Sequence, residues 1–169
     1  DAGNTRPDGD EAAPRRHFLD AFFKPRSVAV VGASERPGTV GRKVFRNLLD
    51  SRFGGAVHAV NHARRQVFGL RAHARVSEIG LPGALPVVVT PAPTVPAVLA
   101  DGIAAGVPPA VITPAGVTET GERGRALEGE IRERVRSGGI RVIGPNSLGL
   151  MNPILGLNAA YSSETALRG

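Results

Sequence analysis

"SVAVVGASERPGTVGRKVF", residues 27–45, holds a β-branched run, a glycine-bearing turn and a basic amphipathic stretch, in that order. Ser27–Val31 reads as a strand from its Val content. Residues 41–52 read as a helix: Val40, Val44 and Leu48 recur at i, i+4 and i+8, with Phe45 and Leu49 beside them, and Gly54–Gly55 end it. A strand that breaks through such a turn into a helix normally holds a phosphate, because the free N–H groups and the dipole of the helix start favour an anion. Gly38 and Gly41 flank that start, and Thr39 adds a hydroxyl.

The same alternation continues outward. Residues 56–60 ("AVHAV") predict a second strand, residues 69–73 a short edge strand, and residues 86–90 ("PVVVT") a buried one. Thr94 is placed to cap a helix to Ala105, with Val95, Leu99 and Ile103 on one face and Gly106 as terminator. Residues 110–113 predict a further strand. Residues 122–137 predict a helix with Leu127, Ile131 and Val135 inward and Glu128–Arg132 and Glu130–Arg134 spaced for surface ion pairs. Residues 140–143 predict the last strand. Strand and helix alternating in this way predict an α/β fold: a Rossmann-like, doubly wound, mainly parallel sheet with helices on both faces. Ligands in such sheets sit beyond the carboxyl ends of the strands.

The composition agrees. The 169 residues suffice for one domain. Aromatics are 4% of the chain and Trp is absent, so the core must be aliphatic, as buried parallel strands are. There is no cysteine, which excludes disulfides, zinc–thiolate sites and thiol nucleophiles. No apolar run is long enough to span a membrane and no signal peptide is visible, so a cytoplasmic protein without a membrane partner is the expectation. The formal charge is +6, almost all from Arg. The arginines are spread along the chain without blocks or interleaved aromatics, which argues for a polyanionic small molecule over nucleic acid.

The strand-end loops carry the functional reading. After the first strand, Gly32 to Gly41 lacks the second glycine of G-x-G-x-x-G and the Gly-Lys-Ser/Thr of a Walker A loop. After the second, Asn61-His62-Ala63-Arg64-Arg65 has no acid for an NAD ribose and instead a basic pair, which points to a ligand with an extra phosphate on its adenosine ribose: NADP or coenzyme A. The loops Thr90-Pro91-Ala92-Pro93-Thr94 and Thr113-Pro114-Ala115-Gly116-Val117 are small and apolar and suit an extended apolar arm. After the last strand, Asn146 and Ser147 are placed to cap a helix or face the crevice. Ser147 has no local catalytic partner and does not lie in a G-x-S-x-G elbow. No two of His17, His58, His62 and His73 have metal-ligand spacing on one helix, so no metal and no catalytic residue is assigned.

Taken together, "SVAVVGASERPGTVG", "AVHAVNHARRQVFGL", "PVVVTPAPTVPAVL", "AVITPAGVTETGE" and "RVIGPNSLGLMNPILGLNA" resemble, in order and spacing, the N-terminal CoA-binding domain of the NDP-forming acyl-CoA synthetases. That superfamily includes the succinyl-CoA ligase α subunit, the ADP-forming acetyl-CoA synthetases and the synthetase-like region of Pat-type protein lysine acetyltransferases. The resemblance covers roughly residues 18–161. It implies a phosphate-binding turn at Gly38, Thr39, Val40 and Gly41, in the loop that Gly32 and Ser34 open. It implies a phosphate contact at Arg64, one CoA-facing wall at Pro91-Ala92-Pro93 and another at Thr113, Pro114 and Ala115. The family's Gly-Pro-Asn-Cys reads Gly144-Pro145-Asn146-Ser147 here, near the phosphohistidine pocket of active synthetases. Serine at that place resembles some Pat-type acetyltransferases. The family's Val-Asn-Pro reads Val60-Asn61-His62. The implied organisation is a disordered tail or linker over 1–16, the CoA-binding domain over 17–150, and the start of a connection to a second domain over 151–169. CoA or acyl-CoA is the implied cofactor, and the remaining synthetase domains are the implied partners. The phosphohistidine and nucleotide-grasp domains lie outside this chain, so it is expected to bind CoA and catalyse nothing alone. An NADP-binding module and an assembly domain without a ligand are the alternatives.

Overall fold

The computed structural model describes residues 17–80, 83–106, 110–114 and 121–164. The expected tail over 1–16 lies outside them. A short helix α1 (Asp20–Phe23) leads into β1 (Ser27–Val31), which is buried along its whole length. Helix α2 (Val40–Asp50) follows, then β2 (Ala56–Val60), β3 (Gln66–Val67), β4 (Leu70–His73), a 3-10 turn at Val76–Ile79 and β5 (Ala84–Val88). A 3-10 turn at Ala92–Thr94 opens α3 (Val95–Ala104). Then come β6 (Ala110–Ile112), α4 (Gly121–Ser137), β7 (Val142–Ile143), β8 (Gly149–Asn152) and β9 (Leu157–Ala160).

Among the described residues the main sheet has seven strands in the order β3-β4-β2-β1-β5-β6-β7. β1 pairs in parallel with β2 on one side and β5 on the other, with Val28 opposite Val57 and Leu85. β2–β4, β5–β6 and β6–β7 are also parallel. β3 runs antiparallel to β4. The chain leaves β1 first toward β2 and later returns to β5, so strand order reverses beside β1. That reversal opens a crevice at the carboxyl ends. The expected Rossmann-like α/β architecture is the one observed.

Each face of the sheet is covered. One core packs Val28, Val30, Leu85 and Val87 against Val44, Phe45 and Leu48 of α2. The other packs Val31, Val60, Val88 and Ile112 against Val95 and Leu99 of α3 and Ile131 of α4. The inward stripe of α2 is Gly41, Val44, Phe45 and Leu48. It is turned from the expected one, because Val40 at the first turn is exposed. The two expected ion pairs of α4 form, Arg132–Glu128 at 2.6 Å and Arg134–Glu130 at 3.2 Å.

Three local expectations change. Thr94 does not cap α3 with its side chain. Its hydroxyl lies 2.8 Å from Thr90 Oγ1 and 2.7 Å from the Pro91 carbonyl oxygen, because a 3-10 turn precedes the helix there. β5 starts at Ala84, before Pro86. β6 pairs with β5 only from Val87, so the missing N–H of Pro86 falls where that ladder has not begun. No helix follows Asn146 and Ser147. Instead β8 and β9 form an antiparallel hairpin, Leu150 opposite Ala159, whose Leu150, Leu157 and Ala159 join the α2-side core. The expected boundary at residue 150 falls inside this hairpin.

Candidate functional site

The crevice starts at Gly32, where φ is 98°. A side chain there would meet Thr90 Cγ2 at 2.9 Å and Thr90 N at 3.1 Å, so the loops after β1 and β5 touch at the point of strand reversal. Gly32 N–H donates to Val60 O (2.8 Å) and Val89 N–H to Val31 O (2.9 Å), carrying the sheet's bonding into the loops. Ser34 Oγ accepts from Arg36 N–H at 3.0 Å and shapes the descent into the turn. Gly38, with φ 79°, has open space where a side chain would stand.

Thr39 is the N-cap of α2. Its Oγ1 accepts from Arg42 N–H (3.2 Å) and donates to Arg36 O (2.8 Å), so its proton is held by the loop. The N–H groups of Val40 and Gly41 keep no partner among the described residues. Two unpaired amides at a helix start, beside an open glycine turn, are the arrangement that favours an anion. A cavity of ≈ 590 Å³ adjoins it along α2, lined by Gly38, Thr39, Arg42, Lys43, Arg46 and Tyr161 among others. Arg42 and Arg46 hold their guanidinium groups 5.1 and 5.2 Å from the ring centre of Phe68. Arg42 Nη1 also donates to Glu35 O.

The basic loop is fastened to the first by Asn61. Its Nδ2 donates to Ala33 O (2.9 Å), while its Oδ1 accepts from Ala63 N–H (2.8 Å) and Arg64 N–H (3.0 Å). This places Arg64 on a second cavity, ≈ 560 Å³, which Arg65, Arg71, His62, Asn61 and Glu78 also line. Arg71 comes from β4, brought there by the β3–β4 hairpin. Neither Asn61 nor Arg71 is among the site residues expected from the sequence. Asn before the basic pair was a readable Asx-turn signal; Arg71 had none.

The other wall is less open. Pro91 is exposed and begins the 3-10 turn before α3. Thr113 is buried, and its hydroxyl donates to Val88 O at 2.9 Å, so it fixes the loop and offers no free donor. Pro114 O accepts from Asn146 N–H (3.1 Å) and Ile112 O from Ser147 N–H (3.4 Å), which lays the loop after β7 on the loop after β6. Asn146 has φ 62°, and Ser147 Oγ accepts from Gly149 N–H at 3.1 Å. Ala115 lies outside the described residues. Among the described residues no group of three or more His, Asp or Glu side chains could hold a metal, and no helix is long and apolar enough to cross a membrane.

A doubly wound sheet with an open anion cradle at one strand end and an arginine-lined cavity at the next defines a nucleotide-cofactor-binding domain. The chain belongs to the CoA binding domain family, whose model matches residues 26–153. It is 41% identical over 144 residues to the α subunit of ADP-forming acetate–CoA ligase II of Pyrococcus furiosus, covering 85% of this chain and 31% of that one. It is 38% identical over 155 residues to ADP-forming acetate–CoA ligase of Methanocaldococcus jannaschii, covering 92% and 21%. A solved structure of the dinucleotide forming acetyl-coenzyme A synthetase 1 of Ca. Korarchaeum cryptofilum, in complex with phosphate and ADP, superposes with a TM-score of 0.83. Its identity is 35%, over 89% of this chain and 32% of that one. The chain thus spans less than a third of the length of these relatives. It is a CoA-binding domain homologous to part of the ADP-forming acyl-CoA synthetases.

Proposed function

We propose that CoA lies across the carboxyl ends of β2, β1, β5 and β6. Its pyrophosphate rests on the Gly38–Gly41 cradle and its ribose phosphate on Arg64. Its pantetheine arm crosses the walls at Pro91 and at Thr113, Pro114 and Ala115, with Asn146 and Ser147 at the far end. The observation that carries this reading is the pair of unpartnered amides at Val40 and Gly41 in an open glycine turn after β1, together with an arginine-lined cavity at the end of the neighbouring strand β2. Thr39 and Thr113 serve as positioning residues, since both hydroxyl groups are held by backbone carbonyls.

The whole protein's activity is proposed from its relatives: formation of an acyl-CoA from an acid, CoA and a nucleoside triphosphate, with ADP as a product. The names of the relatives favour this ligase over an acetyltransferase parent. This domain supplies the CoA site, and other domains supply the phosphoryl-transfer chemistry.

Calorimetric titration with CoA, acetyl-CoA, 3′-dephospho-CoA and NADPH at fixed ionic strength tests the reading. CoA and acetyl-CoA should bind and NADPH should not. Arg64→Ala should weaken CoA more than 3′-dephospho-CoA, by about tenfold for one lost charge-assisted contact. Preference for NADPH would sink the CoA site, and equal weakening of both CoA forms would remove Arg64 from the ribose phosphate.

A further inference from the structure

Arg71 sits opposite Gln66 in the β3–β4 ladder, on the strand that returns after the basic loop, and lines the same ≈ 560 Å³ cavity as Arg64 and Arg65. None of these three arginines has an acidic partner within 4.0 Å among the described residues. Glu78 is the acid on this cavity, and its Oε2 accepts the Ala74 N–H at 3.0 Å. Three like charges around one hollow repel each other, and an anion placed between them removes that repulsion. Guanidinium forks match phosphate oxygens in pairs.

The charge of the group can be read from the number of arms. A phosphodiester or each half of a pyrophosphate linkage carries one negative charge, and the helix-start cradle suffices for it. A phosphomonoester carries about −1.5 to −2 at neutral pH and exposes three oxygens. Three guanidinium groups suit the monoester. The hairpin that carries Arg71 is also held in place. Phe68 at its turn donates its N–H to Glu35 Oε1 of the first loop and stacks on Phe45 of α2 with ring centres 6.3 Å apart. At its other end Asn61 N–H donates to His73 O at 2.8 Å.

We infer that Arg71 is a specificity-determining residue: the third arm, with Arg64 and Arg65, of a clamp for the phosphomonoester on the CoA ribose. This rests on the CoA reading above and adds to it a residue from a different element. The clamp makes the domain select 3′-phosphorylated CoA.

The test titrates wild type, Arg71→Ala and Arg71→Lys with CoA and with 3′-dephospho-CoA, after thermal unfolding has shown that all three fold alike. Arg71 is exposed, so its truncation should leave the fold intact. Arg71→Ala is expected to weaken CoA about tenfold while 3′-dephospho-CoA stays within about twofold. Arg71→Lys should fall between, because lysine keeps the charge and loses the fork. Equal loss for both ligands, or no loss for CoA, overturns the clamp. If wild type binds both ligands equally, the clamp falls while the CoA site stands. If wild type binds neither, the CoA site falls and the clamp with it.

Discussion

A side chain added at Gly41 would put its first carbon 2.0 Å from the carbonyl oxygen of Gly32. That oxygen belongs to the backbone of the loop directly after β1, so it cannot swing aside. Alanine inside a helix is worth about 1 kcal/mol over glycine, which is less than the cost of separating α2 from that loop. Gly41→Ala is therefore expected to lower stability by about 2 kcal/mol and to displace the cradle, weakening CoA as well. Gly38 is the control. Its φ of 79° makes a side chain unfavourable, but an added Cβ would meet nothing within 4 Å among the described residues outside its chain neighbours. Gly38→Ala should cost about 1 kcal/mol and leave α2 in place. Thermal unfolding separates the two, and a Gly41→Ala protein as stable as Gly38→Ala would contradict the contact. Both glycines were visible in the sequence as part of a phosphate turn. Their different reasons were not, because a close approach between two backbones depends on how the helix lies on the sheet.

At the level of elements, β2 and β4 bring His58 and His73 together on the α3 side of the sheet, with ring centres 6.1 Å apart. His58 Nε2 is buried with no hydrogen-bond partner among the described residues. Burial first, and then the neighbouring His73, hold its pKa below its ordinary value of 6.5. The folded state thus prefers neutral His58, whereas the unfolded chain takes up a proton at about pH 6.5. This contribution to stability is whole above that pH and is lost as pH falls through the folded pKa. Thermal unfolding from about pH 8 to about pH 5 should show a fall in wild type that is smaller in His58→Gln; parallel curves would rule His58 out. The strand pairing behind this contact is the part the sequence concealed. β1, α2, β2 and α4 were legible from period and termini. The β3–β4 pairing was not, since its turn is Phe68–Gly69 with φ of 49° and 74°, and phenylalanine is not a residue that announces such a turn. With that hairpin unread, the meeting of Arg71 with Arg64, and of His73 with His58, stayed hidden.

On the scale of the whole molecule, the β8–β9 hairpin packs beyond the expected boundary at residue 150. The family resemblance makes the stretch after residue 150 the start of a connection to a second domain, and only the α2 surface shows what its apolar residues are for. Leu157 is 2% exposed and packs in the core with Val44, Phe45 and Leu48. Asn47 of α2 donates through Nδ2 to Ala160 O (2.7 Å) and Ser162 O (2.8 Å), binding the strand's end to the helix. Asn152 Nδ2 donates to Phe23 O at 2.6 Å and ties the hairpin's other strand to α1. The hairpin thus backs the helix whose first turn is the proposed phosphate cradle, and its loss should loosen the site from behind. Leu157→Ala is expected to cost about 2–5 kcal/mol, a large share of the roughly 5–15 kcal/mol that holds a domain folded. Leu148→Ala, at a side chain of a residue 72% exposed just before the hairpin, should change stability by no more than about 0.5 kcal/mol. Urea unfolding of the two variants is the measurement. A midpoint that drops for Leu157→Ala and holds for Leu148→Ala makes the hairpin part of the CoA-binding unit. Equal midpoints would return the boundary to residue 150 and leave α2 to be held by the sheet alone.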